Sequence, residues 1–462
     1  MLKILKKFSD YGQYGLVVLL LFQGESCSTP TVDESRNFED PLELVYEEPQ
    51  KLVENVSFGD QLSDSTKPLP SSFGGEIVTG ENIGDVEISH FQYDDREKRF
   101  EQIPVQITSN FAIPNGLEKR VWFWGQIYSY FSINEYVLHI GDYPEVVLEV
   151  GKNIMTEDGT SISGILKTKR AMNKRKRRYA AILRKMHRNK SKSFNTPQMK
   201  RIENAMIHID DRNKYLKAAN SVRTQRGQKE FVGRGIVMAS EYLPHIVKEF
   251  EQRSLPVELA KIAFVESSFN IKAVSKVGAS GVYQIMPFIG RKFLVMNRYI
   301  DERRDPIKSS IAAARLFQEN YRGLGNWPLS VTAYNHGLYG IRRAVRKVGS
   351  EDLAEIIKNY NNRRFGFASK NFYSEFLAML YTLENSSTFF PNLELKPEIS
   401  FENRVLQRSS SIKGILKTYN ITAEDLIKLN PDINSKLIKR NGRIRKGYIL
   451  KIPKKPLSSP VS

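Results

Sequence analysis

The chain has 462 residues, 40% of them hydrophobic; that is enough to bury a real core in about two to four domains and excludes an intrinsically disordered protein. The formal net charge of +19 would attract polyanions, yet fifteen Lys and Arg and no Asp or Glu fall within residues 167–201, so the remainder is nearly balanced. A single cysteine, Cys27, excludes an internal disulfide even in an oxidising compartment.

The N-terminus, MLKILKKFSDYGQYGLVVLLLFQGESCSTP, sets Lys3, Lys6 and Lys7 ahead of an apolar run over residues 15–22. The run is too short to span a bilayer and has the shape of a secretory signal. Cys27, preceded by Ser26, resembles the lipid-modified cysteine of a bacterial lipoprotein, although Gly24 and Glu25 depart from the usual signal. A plain cleaved signal and an uncleaved anchor are the alternatives. Residues 1–27 are therefore read as a signal, and the protein as exported, periplasm-facing and held on the outer membrane through Cys27.

Residues 28–75, rich in Pro, Ser and acids, have the composition of an acidic flexible tether. Residues 76–152 form an N-terminal region of uncertain fold, in which VWFWGQIYSYF at 121–131 fits a helix and a buried strand equally well. Residues 153–230 read as a basic, partly helical insertion, because KTKRAMNKRKRRYAAILRKMHRNKSK lacks Gly and Pro and favours helix formers. It serves either as a solvated helix face or as an anion-binding patch.

Residues 231–388 change to helical apolar spacing, with Pro244 and Pro256 at early helical positions. Further helices are predicted over 307–321 after Asp305-Pro306, over 328–336 between Asn326 and Gly337, and near 370–384. In the tail, residues 400–454, RVLQR, GILKTY, TAEDLIKLNP and YILKIP read as strand, helix, helix, strand, with Thr422 and Asp425 as a capping box. The predicted fold class is mainly α, with a small α+β (βααβ) module at the C-terminal end.

A helix begun at Pro256 puts Leu259, Ile262, Ala263 and Glu266 on one stripe. A carboxylate there loses hydration, which raises its pKa unless a cation or several donors compensate. A neutral acid suits a reaction that must protonate a leaving oxygen. The alternative is a structural glutamate at a helix end, bonded to backbone or to an arginine, and spacing does not separate the two.

ESSF at 266–269, AVS at 273–275, GASGVYQIMP at 278–287 and AYNHG at 333–337 resemble, in order and spacing, the successive motifs of lytic transglycosylases with the soluble-type, goose-lysozyme-like fold. The resemblance covers residues 231–384, about a third of the chain, with a layout most similar to the membrane-bound transglycosylase D group. Val282 stands where Leu is commoner. The tail resembles a LysM repeat, a module that binds N-acetylglucosamine-containing glycans, but lacks the strong Gly and Asp signals near its first strand.

The resemblance implies a lysozyme-like helical catalytic domain in which Glu266 is the single acid and base. It implies that Gln284 hydrogen-bonds the sugar, that Ser275 approaches the acetamido region and that Met286 forms a cleft wall. Tyr334 and Asn335 lie in the last turn before Gly337, where the family shapes the site beside the glutamate. Tyr373, in KNFYSEFLAML, matches a cleft tyrosine, although the flanking Glu-Thr of close relatives is absent. By residue type, Ser275 also reads as a turn hydroxyl, Gln284 as a helix-capping amide and Met286 as core.

Ordinary glycosidases need two carboxylates, and residues 259–300 contain only Glu266. In the family the substrate's acetamido oxygen supplies the missing function, and the C6 hydroxyl then closes a 1,6-anhydro-MurNAc ring with the glutamate as base. Neither cofactor nor metal is implied. A second acid from Asp301 or Asp305 would keep a hydrolytic muramidase open, and a non-catalytic peptidoglycan scaffold is the other class. The export signal argues against a nucleic-acid binder. Expected partners are peptidoglycan glycan strands, a membrane through Cys27, and anionic wall polymers or lipid head groups through the basic segment. If Cys27 is lipidated, Cys27→Ser moves the protein from the membrane fraction to the soluble one, and unchanged fractionation removes the lipoprotein reading.

Overall fold

The computed structural model describes residues 78–83, 86–90, 103–153, 162–189 and 194–454. The expected signal with Cys27 and the tether lie outside the described residues. The protein is mainly α, as its periodicity predicts, with an antiparallel sheet near the start of the described residues and a small strand-containing module at their end. Among the described residues no helix is long and apolar enough to cross a membrane.

The sheet is ordered Val78–Ile83, Val86–His90, Val147–Asn153, Glu135–Ile140, Val222–Arg226. Alternation along its strands sends side chains to opposite faces. Val137, Val147 and Val150 join one core cluster; Tyr136, Leu138, Ile140 and Leu148 join another. That second face is covered by the basic helix Ile162–Arg188, through Met172, Tyr179, Leu183 and Met186. The buried Glu149 carboxylate, on the sheet, pairs with Arg175 of this helix and accepts from Tyr179 Oη at 2.9 Å. The segment read as an insertion therefore supplies both a covering helix and, at Val222–Arg226, the last strand of the sheet.

The ambiguous VWFWGQIYSYF stretch is helical over residues 121–129, in the helix Glu118–Ser129, with Tyr130 as its C-cap. Tertiary contacts decide it: Arg120 and Trp124, one turn apart, both donate to Asn371 Oδ1, at 3.2 and 3.1 Å. Asn371 belongs to the long helix Phe367–Glu384, and Phe111 meets Phe376 of the same helix edge-on at 5.1 Å. The N-terminal region and the central helices thus share one core.

The helices expected after Asp305 and Asn326 run over Pro306–Leu324 and Trp327–His336. Both begin on side-chain caps: Asp305 accepts from the amides of Ile307 and Lys308, and Asn326 accepts from that of Leu329. In the tail, Phe401–Val405 pairs antiparallel with Ile449–Pro453, and the Thr422–Asp425 capping box is formed. A third short helix, Ser435–Lys439, and a second strand pair, Ser410–Ser411 with Arg443–Ile444, are added to the expected strand, helix, helix, strand order.

The C-terminal module is docked on the segment before Pro306. Asp301 N donates to Asp432 O at 2.9 Å and Asn434 N to Tyr299 O at 2.8 Å, while Ile300 enters the module's own core with Ile433 and Leu450. Charges flank this contact. Lys308 Nζ lies 2.8 Å from Asp432 Oδ2 and 3.3 Å from Glu302 Oε1, and the buried Lys451 pairs with the buried Asp305. Burial by itself would push the Asp305 pKa up, but the ammonium groups of Lys451 and Lys308 outweigh it and hold the carboxyl below its ordinary value.

Asp305→Asn leaves Lys451 buried without its charge partner, which costs about 3–5 kcal/mol at neutral pH, read as a lowered midpoint in urea unfolding. Because the folded-state pKa is depressed, the wild-type advantage is present above the unfolded value of about 3.9 and is lost as the pH falls through the folded one. Equal midpoints of the two proteins at neutral pH would show that the pair contributes nothing.

Candidate active site

Glu266 sits on the short helix Ile262–Ser267, which follows a 3-10 turn over Val257–Lys261 with Pro256 as its N-cap. The expected stripe survives this tightening, with Leu259, Ile262 and Ala263 fully buried and Glu266 half-buried at its end. Two successive left-handed residues stop the helix, Ser268 at φ 50° and Phe269 at φ 58°. Such backbone costs about 1–3 kcal/mol per residue, and packing holds it. The Phe269 ring is fully buried, 5.5 Å from Phe264, and Ser267 Oγ donates to Val282 O at 2.9 Å. Gly235, on the neighbouring helix Lys229–Ser240, lies so close that a Cβ there would stand 2.4 Å from Ser268 O.

Two phenols lie within electrostatic reach of Glu266. Tyr334 has its pKa raised well above the ordinary value, first by burial and then by the Glu266 charge. Tyr128 is shifted the same way by burial, then Glu375, then Glu266. Tyr128 and Glu375 were not singled out in the sequence. Tyr128 comes from the stretch whose secondary structure was ambiguous, and Glu375, 1% exposed, lies inside the apolar face of a helix. Periodicity of 3.6 could have flagged Glu375 as a buried carboxylate.

The loop carrying Ser275 and Gln284 is held by its own polar groups. Ser275 Oγ accepts from Ala279 N at 2.9 Å, and Gln284 Nε2 donates to Gly281 O at 2.8 Å. Gln284 itself is left-handed at φ 45°, which turns the chain toward Met286, the half-buried N-cap of the helix Pro287–Phe293. Tyr334 Oη donates to Tyr283 O at 2.9 Å, joining this loop to the helix that carries Asn335. The Tyr334 ring stacks on Phe317 at 4.8 Å. Asn335 Oδ1 accepts from Ser369 Oγ at 3.0 Å, and Ser369 lies 3.1 Å from His336 Nδ1. Burial, with Arg343 and Arg364 nearby, lowers the His336 pKa to about 4, so this imidazole is neutral at neutral pH.

Arg303 anchors the loop from beneath. Its Nη1 donates to Gly278 O at 2.7 Å and Ile285 O at 3.1 Å, while Nε and Nη2 each lie 2.9 Å from an oxygen of Asp301. Gly281, at φ 78°, meets the Arg303 carbonyl so closely that a Cβ would fall 1.8 Å from it. The two acids considered as a second carboxylate are therefore committed elsewhere, Asp301 to Arg303 and Asp305 to Lys451 and its helix cap. Tyr373 is 2% exposed, and its hydroxyl donates to Ala112 O at 3.2 Å, in the strand pair of the N-terminal region. Among the described residues no group of three or more His, Cys, Asp or Glu side chains could hold a metal ion.

Residues 236–357 match the family model described as the transglycosylase SLT domain. Over 110 residues the chain is 36% identical to the membrane-bound lytic murein transglycosylase D of Escherichia coli (strain K12), covering 23% of this chain and 24% of that protein. The match thus spans about a quarter of the relative's length. Among solved structures, the lytic transglycosylase Slt of Pseudomonas aeruginosa aligns at 19% identity and a TM-score of 0.27, over 41% of this chain and 28% of that one. The 70 kDa soluble lytic transglycosylase of Escherichia coli aligns at 20% identity and a TM-score of 0.24, over 45% and 31%. The four motifs from Glu266 to Gly337 all fall inside the matched stretch, whereas Tyr373 lies beyond it, and the chain's resemblance to the transglycosylase SLT domain is over residues 236–357.

Proposed function

We propose that the protein is a peptidoglycan lytic transglycosylase that cleaves the β-1,4 bond between MurNAc and GlcNAc without water and leaves 1,6-anhydro-MurNAc ends during wall remodelling. The observation that carries this reading is Glu266, half-buried at the end of an apolar stripe inside the SLT domain, with Tyr128 and Tyr334 in electrostatic reach. In the first step the protonated Glu266 gives its proton to the leaving GlcNAc O4 as the glycosidic bond breaks, and the substrate's acetamido oxygen stabilises the anomeric carbon. In the second the carboxylate takes the proton of the C6 hydroxyl, whose oxygen bonds C1. Glu266 ends protonated, ready for another cycle. Ser275, Gln284, Met286, Tyr334 and Asn335 shape the glycan cleft, and Tyr373 supports it from the interior. Export and anchoring at Cys27, and glycan binding by the LysM-like module, complete the proposal.

A hydrolytic muramidase is the second reading, favoured by one observation: Glu375 is a second buried carboxylate whose charge, like that of Glu266, helps raise the Tyr128 pKa after burial. Product mass separates the two. Lytic products are lighter by one water and carry no label from labelled water, whereas reducing MurNAc ends with incorporated label overturn the lytic mechanism. Glu266→Gln keeps the side-chain shape and removes the acid, so glycan binding survives while turnover falls by about a hundredfold to ten-thousandfold or more. Full activity of that variant would return Glu266 to a structural role.

The outward face of the basic helix, with Arg170, Lys174, Arg177 and Arg178 exposed opposite its buried stripe, is proposed to attract anionic wall polymers or lipid head groups. Changing these four to Glu weakens sacculus or vesicle binding at low salt and leaves turnover of short soluble glycans intact, because exposed charges act through a field that salt screens. Unchanged binding at low salt would assign the face to solvent.

A further inference from the structure

The C-terminal module reaches the candidate active site through a short, continuous set of contacts. Its residues 432 and 434 make two backbone hydrogen bonds to residues 299 and 301, at 2.8 and 2.9 Å. The Asp301 carboxylate grips the Arg303 guanidinium on two atoms, a geometry that fixes the plane of the arginine. The remaining amino group of that arginine holds the carbonyls of Gly278 and Ile285. Those two carbonyls bracket the turn that includes Gln284 and closes onto Ser280, whose amide and that of Ile285 exchange 3.2 Å hydrogen bonds with each other's carbonyls. The Arg303 carbonyl is packed against Gly281, so closely that a Cβ there would fall 1.8 Å from it.

We propose that the C-terminal module positions the site loop of the SLT domain, with Asp301 and Arg303 as positioning residues between them, so that undocking the module loosens residues 274–286. The kinetic part of this inference rests on the transglycosylase reading; the structural part does not. The ion pairs around Lys308 set how tightly the module docks, because Lys308 binds Asp432 from the module and Glu302 from the linking segment at once. Its ammonium also lies 4.0 Å from the centre of the Tyr448 ring, whose hydroxyl donates to Asp432. Lys308 itself has no hydrogen bond to the loop, so its replacement reaches residues 274–286 through the docked segment. A module that served only to hold glycan would need none of this: an exposed linker would suffice.

The test uses the full chain, with Lys308→Met to weaken docking and Asp301→Asn to release the grip on Arg303 while keeping shape. Hydrogen–deuterium exchange of peptides from residues 274–286 is expected to quicken about tenfold or more in both variants, while the helix Phe367–Glu384 stays as protected as in wild type. Turnover of a soluble glycan too short to reach the module falls about tenfold or more with it, since small misplacements of positioning groups are costly. Unchanged exchange over 274–286 in both variants overturns the proposal, as does a uniform rise that includes Phe367–Glu384. Loss of turnover for long glycans only, with short ones unaffected, also overturns it and returns the module to glycan binding. A wild-type protein that releases no anhydro product sinks the catalytic reading and leaves the exchange result to decide the coupling on its own.

Discussion

The buried Arg303 guanidinium is the interaction on which the site's geometry depends. Three of its nitrogens satisfy Asp301 and two loop carbonyls, and its own backbone carbonyl occupies the space that a side chain at position 281 would need. A buried cation is stable only when its donors are met, and here the groups that meet them belong to the segment the module docks on and to the loop that carries Ser275 and Gln284. The arrangement therefore serves two ends with one residue: it neutralises a charge and it sets the height of the loop.

A second support comes from the opposite side. The long helix Phe367–Glu384 buries many apolar side chains, yet it also buries Asn371, Tyr373 and Glu375. Asn371 and Tyr373 are satisfied by the N-terminal region, through Arg120, Trp124 and the Ala112 carbonyl. Burying such groups without partners would cost several kcal/mol, on the order of 1–3 each, so the helix and the N-terminal region stabilise one another. The consequence for the site is that Tyr128, from outside the stretch that matches the SLT model, comes within electrostatic reach of Glu266.

The helix that carries Glu266 shows how strain is distributed. It is only Ile262–Ser267 long and ends in two left-handed residues, neither of them glycine. The cost is met by a buried Phe269, a Ser267 hydroxyl bonded to Val282 O, and a glycine at 235 that admits the Ser268 carbonyl. The turn points the chain from Glu266 directly into the AVS and GASGVYQIMP motifs, so the acid and the loop are bound together by local geometry as well as by Arg303.

Much was legible in the sequence because it rests on local chemistry. The helix starts at Asp305-Pro306 and Asn326, the stop at Gly337 and the Thr422–Asp425 box each follow from which side chains can accept from free amides or tolerate a left-handed backbone. The apolar stripe ending at Glu266 is likewise a matter of spacing, and it persists although its first turn is 3-10. What tertiary structure alone decided involves partners distant in the chain. Residues 121–129 of VWFWGQIYSYF became helix because Asn371 accepts from Trp124 and, one turn earlier, from Arg120 just before the stretch, and Val222–Arg226 became a sheet strand because Glu135–Ile140 had an edge to pair. Tyr373 faces the interior because Ala112 supplies an acceptor, Glu375 joins the surroundings of Tyr128, and the C-terminal module settles on residues 299–305 through charges more than a hundred residues apart. Periodicity reports which face of an element is apolar; it carries no information about which buried polar group will find its partner, and those pairings are what assembled the site.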